Sequence, residues 1–136
     1  MGVAVFNASR QIVFANAAFG ELALNSSDGA DMVGKRLGEA LSCPGAKLTT
    51  GGCGTAELCR SCGASKAIAA ALLGQDAVAG ECTISRQGVE HLETLDFRIW
   101  IWTLRHGGES FHVSLLSDIR AEKRLDLMDR IFYHDI

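Results

Sequence analysis

Apolar and polar positions recur with two different periods along the chain, and these periods predict its elements. Residues 3–6 (Val, Ala, Val, Phe) and 11–15 (Gln, Ile, Val, Phe, Ala) are short apolar runs separated by turn-forming residues 7–10, which predicts two strands. Asn16 follows where a side-chain oxygen can accept a free N–H of a helix's first turn. Ala18, Phe19 and Leu22 give that helix an apolar stripe, and residues 25–29 break it. Residues 32–41 hold one or two short helical turns, and residues 64–73 form an alanine-rich helix with Gly74 near its C-terminal cap. Two long alternating runs then predict strands, with Gly88 at the hairpin turn between them. Val78, Gly80, Cys82 and Ile84 share one face, which assigns Cys82 to the core; Leu95, Phe97, Ile99 and Ile101 form a second buried face. Opposite that second face run Asp96, Arg98, Trp100 and Trp102, whose aromatic end is expected to pack on a helix or a partner. Gly107 and Gly108 make the next turn, and Phe111, Val113 and Leu115 alternate on a fifth strand. From Ile119 the period becomes helical. Leu125, Met128 and Phe132 form a narrow seam that suits either a parallel coiled coil or a helix folded back on its own sheet.

Composition narrows the class. Apolar residues make up 48% and charged residues 21% of the 136, as in a globular domain, which argues against a disordered or collagen-like chain. A net charge of −3 and a pI near 5.8 supply no broad positive field for nucleic acid. The longest apolar run, residues 67–73, is far shorter than the ~20 residues of a membrane span. The first eight residues lack the flank and core of a signal peptide, and Phe6 stands where a myristoylation signal has Ser or Thr. The expected setting is cytoplasmic, where clustered cysteines more often bind metal or do redox chemistry than form structural disulfides.

Four of the five cysteines lie in a Cys/Gly-rich insert, residues 43–63, with the only proline and five of the fifteen glycines. Their spacing is Cys43-x9-Cys53-x5-Cys59-x2-Cys62. A tight turn brings the sulfurs of Cys59 and Cys62 to one side. Four thiolates suit tetrahedral Zn²⁺ or an iron–sulfur cluster. Cys43, Cys53, Cys59 and Cys62 are therefore candidate metal ligands; a metal-free thiol–disulfide switch and plain packing are the other readings. His91, His106 and His112 lie singly on or beside strands, where a solvent-facing or hydrogen-bonded role is expected, and no Cys-x-x-Cys-His haem motif occurs.

The order of elements resembles a PAS sensor domain. The run Ile12, Val13, Phe14, Ala15, Asn16, Ala17, Ala18, Phe19 is similar to the PAS strand that enters an Asn-x-x-Phe helix start. Gly34, Lys35, Arg36, Leu37 resembles the short turn that often follows. Ser117, Asp118, Ile119, Arg120 resembles the Asp-Ile-Thr signature where the last strand hands over to a signalling helix, and Asp118 is expected to hold that corner by accepting hydrogen bonds. The resemblance implies an α+β fold: a five-stranded antiparallel sheet with short helices on one face and a C-terminal signalling helix. It divides the chain into a PAS domain, residues 1–118, and residues 119–136, a signalling helix with the truncated start of a phosphoacceptor domain. The tail Arg130, Ile131, Phe132, Tyr133, His134, Asp135, Ile136 resembles the H-box of a two-component histidine kinase. That implies His134 as phosphoacceptor, Asp135 as its acidic neighbour, a homodimer through the helix and/or the sheet, and an ATP-binding domain and a response regulator as partners. The expected role is sensory rather than enzymatic, because the sequence carries no ATP-binding domain. The alternative is a domain stabilised by a metal on its four clustered cysteines that binds another protein.

Overall fold

The computed structural model describes residues 1–23, 29–75, 77–87 and 91–134. Strands β1 (Gly2–Phe6) and β2 (Ile12–Ala15) form a hairpin and lead into helix α1 (Ala17–Leu22). Asn16 makes that corner: its Oδ1 accepts from Phe19 N and from Val3 N, both at 2.9 Å, so one side chain caps α1 and ties it to β1. A 3-10 turn (Gly29–Met32), helix α2 (Leu37–Ala40) and two more 3-10 turns (Pro44–Lys47 and Glu57–Ser61) lead to helix α3 (Gly63–Leu72). Gly74, at φ +97°, ends α3 in the left-handed conformation that only glycine adopts without strain. Strands β3 (Val78–Gln87), β4 (Leu92–His106) and β5 (Glu109–Asp118) follow, and helix α4 (Arg120–His134) leaves the sheet. Gly88 and residues 25–28 of the expected helix break lie outside the described residues.

The sheet order is β2-β1-β5-β4-β3, with every neighbouring pair antiparallel. One face carries the core. Phe6, Phe97 and Ile99 from the strands meet Phe19 and Leu41 from the helical side, all almost fully buried. The even-odd pattern on β4 is as expected: Leu95, Phe97, Ile99 and Ile101 point inward. On β5 the inward set is His112, Ser114 and Leu116, while Phe111, Val113 and Leu115 are half-buried on the outer face. Hydrogen bonds make this register tolerable. Ser114 Oγ donates to Ala4 O at 2.7 Å, and His112 Nδ1 lies 3.2 Å from Thr103 Oγ1. Burial holds the His112 imidazole below its ordinary pKa.

α4 does not fold back onto the sheet. Only its first turn is anchored there, and Leu125, Leu127, Met128, Ile131 and Phe132 are exposed. Among the described residues no helix is long and apolar enough to cross a membrane.

Candidate functional site

Two glycines bring the N-terminus of α3 down onto the backbone of β3. A Cβ on Gly63 would collide with Glu81 O, and one on Gly80 would collide with Gly63 O. This close approach sets Cys62, the N-cap residue of α3, against Cys82 on β3, with the two sulfurs 3.2 Å apart. Ser65 N–H donates to Cys62 Sγ at 3.5 Å. Ser65 Oγ in turn accepts from Arg10 Nη2 at 3.3 Å, which brings a guanidinium from the β1–β2 turn to the same helix end.

This arrangement separates the two thiols chemically. The bond from the Cys82 thiol lowers the Cys62 pKa most, the backbone N–H groups of Ser65 and Ala64 and the Arg10 charge lower it further, and burial opposes them. Cys82 shifts the opposite way, because its proton is held by Cys62 and its own burial disfavours the anion. The helix N-terminus and the nearby guanidinium thus favour the anion at Cys62 over Cys82.

A cavity of about 480 Å³ opens on the pair, and its lining includes Cys43, Gly45, Cys62 and Cys82. Cys43 and Cys59 flank Gly45, whose Cβ would lie 3.6 Å from one sulfur and 3.8 Å from the other. Cys53 stands apart. It packs against Gly38, its N–H donates to Glu39 Oε1 at 3.1 Å, and burial pushes its thiol up to about 11.

The cysteines therefore group differently from their order in the chain. Cys82 is not a plain core residue: it is half-buried and shares the Cys62 site. The expected set of Cys43, Cys53, Cys59 and Cys62 is not drawn together around one point. Among the described residues no three His, Cys, Asp or Glu side chains are arranged to hold a common metal ion. His134 is the last residue of α4, and Asp135 lies outside the described residues.

On the opposite face of the sheet, the neighbours of Cys82 point at α4. Glu81 Oε1 accepts from Arg98 Nη2 at 2.7 Å, and Arg98 Nη2 also reaches Glu122 Oε1 of α4 at 3.4 Å. Thr83 donates to Asp96, and Asp96 Oδ1 accepts from Lys123 Nζ of α4 at 2.9 Å. The corner below is closed by Asp118, which accepts from Arg120 N at 3.0 Å and from Arg120 Nη2 at 2.6 Å.

No protein-family model and no curated protein matches the chain. Solved structures do. A PAS domain of an HTR-like protein from Haloarcula marismortui aligns at 13% identity and a TM-score of 0.51, covering 87% of this chain and 85% of that one. The chain has the PAS fold. A PAS domain from Desulfitobacterium hafniense aligns at 14% identity and a TM-score of 0.48, covering 86% of this chain and 91% of that one. Identities this low speak to architecture alone. In this PAS fold the thiol pair sits on the helical face, and the links to the exit helix sit on the outer face of the same strand. Sequence reasoning missed Arg10, Glu81 and Cys82 as members of these groupings. The signal that could have found them was a pair of glycines, Gly63 and Gly80, each one or two residues from a cysteine.

Proposed function

We propose that the chain is the sensory PAS module of a cytoplasmic two-component histidine kinase, regulatory rather than catalytic. It passes a signal through α4 to His134, the phosphoacceptor, with Asp135 as its acidic neighbour. The observation that carries this reading is the double link from β3 to α4. Glu81 and Thr83, on either side of Cys82, connect through Arg98 and Asp96 to Glu122 and Lys123 in the first turn of the helix. A shift of β3 on the sensing face would thus move the root of α4. The exposed seam of Leu125, Met128 and Phe132 supports a parallel homodimer through α4.

The chemistry at His134 follows from general rules. A neutral imidazole nitrogen attacks a γ-phosphate in line, and a carboxylate on the other ring nitrogen favours the attacking tautomer. An ATP-binding domain would donate the phosphoryl group and a response-regulator aspartate would receive it. The test is labelled phosphate transfer from a histidine-kinase ATP-binding domain supplied in trans. Acid-labile label is expected on the chain and absent from His134→Gln; label that persists in the variant refutes the assignment.

A further inference from the structure

We propose that Cys62 and Cys82 form a hydroperoxide-reactive pair, Cys62 attacking the O–O bond and Cys82 resolving the product as an intramolecular disulfide. Three independent features of the geometry converge on it. The sulfurs are 3.2 Å apart, so a bond of about 2.05 Å requires little more than 1 Å of closure. Cys62 Sγ faces the Ser65 N–H at the start of a ten-residue helix, with the Arg10 guanidinium held beside it through Ser65 Oγ. The cavity of about 480 Å³ is lined by both cysteines and has room for a small hydroperoxide. Cys53 is also near Arg10, but it caps no helix and is absent from the lining of this cavity, and it is the internal control.

The steps balance. The Cys62 thiolate attacks the distal oxygen of ROOH, the O–O bond breaks, and the departing alkoxide or hydroxide is protonated by solvent. Cys62 is left as a sulfenic acid, oxidised by two electrons, and the hydroperoxide is reduced to ROH. Cys82 then loses its proton and attacks the Cys62 sulfur. The S–O bond breaks and the oxygen leaves as water. The pair returns to its reduced form by exchange with a dithiol reductant.

The chemistry stands on the pair alone. Its consequence for α4 rests on the function proposed above and names its signal. Closing the disulfide draws Cys82 toward α3, and Cys82 lies between Glu81 and Thr83, the two residues of β3 linked to α4.

The test treats the reduced chain with stoichiometric hydrogen peroxide, alkylates the remaining thiols and maps tryptic peptides. Cleavage after Arg60, Lys66 and Arg86 places Cys62 on residues 61–66 and Cys82 on residues 67–86, apart from the other three cysteines. The expected product joins these two peptides while Cys53 stays alkylated. Cys82→Ser should trap a dimedone-reactive sulfenic acid at Cys62. Cys62→Ser should slow peroxide consumption at least about tenfold, and because serine is itself a good N-cap, α3 should persist by circular dichroism. A main disulfide through Cys43 or Cys59, equal oxidation of Cys53, or an unchanged rate in Cys62→Ser would overturn the proposal. So would a metal ion bound to both sulfurs in anaerobically purified protein. A Cys62–Cys82 disulfide that forms while phosphate labelling of His134 is unaffected would uphold the pair and refute the relay.

Discussion

A Cβ placed on Gly63 would overlap the backbone of Glu81, and the obstacle is a paired strand that cannot swing aside as a flexible side chain does. Gly63→Ala should therefore lift the start of α3 off β3 and cost about 1–3 kcal/mol of stability, the range for an overpacked site. Urea denaturation measures the loss, and peroxide treatment of the folded variant should give less of the Cys62–Cys82 crosslink. A variant of unchanged stability that still crosslinks would show that the close approach is not needed. The same scale shows which residues could be read in advance. Asn16 was legible as a cap because its partner, Phe19 N, lies three residues away. The partner of Cys82 was not, because Cys62 is 20 residues off and reaches it only after α3 docks on β3. Alternation put Cys82 on the inner face, but no local pattern states what stands opposite it there.

Elements built on a regular period were legible, and those that depend on docking were not. β4 alternates over its core half and turns the expected residues inward, whereas β5 buries His112 and Ser114 because hydrogen bonds from neighbouring strands satisfy them. The root of α4 is likewise a tertiary feature, held by carboxylates on the sheet. The Asp96 carboxyl is held below its ordinary pKa of 3.8 by the Thr83 hydroxyl and then by Lys123, and Asp118 is held down by Arg120. A carboxylate with a lowered folded pKa stabilises the fold above its unfolded pKa and loses that contribution as pH falls through the folded value. Attachment of α4 should thus be intact at neutral pH and weaken progressively below pH 3.8. Acid titration followed by circular dichroism and by amide exchange in residues 119–124 would detect it. Asp96→Asn, which keeps the shape and removes the charge that pairs with Lys123, should loosen α4 at neutral pH and flatten its acid response. An unchanged acid profile in that variant would remove Asp96 from the account.

At the scale of the whole molecule, two apolar surfaces remain uncovered. Across the outer face of the sheet, Phe14, Val5, Val113 and Trp102 stand in register from β2 to β4, with Phe14 54% and Trp102 41% exposed. Beyond the sheet, Leu125, Met128 and Phe132 are 63%, 45% and 59% exposed along α4. Large contiguous apolar patches on a folded chain mark interaction sites. The two surfaces make different demands on a partner. The seam repeats every three and four residues on a helix anchored only at its root, which a parallel copy of the same helix satisfies residue for residue. We therefore expect a homodimer whose contact runs along α4, with the sheet face contributing near the axis. Sedimentation of the chain should show self-association, and Met128→Glu, which buries a charge in the middle of the seam, should weaken it at least about tenfold, or ~1.4 kcal/mol. Asp126→Ala, off the seam, should leave association unchanged, and Trp102→Ala should weaken it less than Met128→Glu. If Trp102→Ala abolishes the dimer and Met128→Glu spares it, the copies meet through their sheets. α4 would then leave the dimer as two separate helices, and a shift of β3 could not be read out as a rotation of paired helices toward His134.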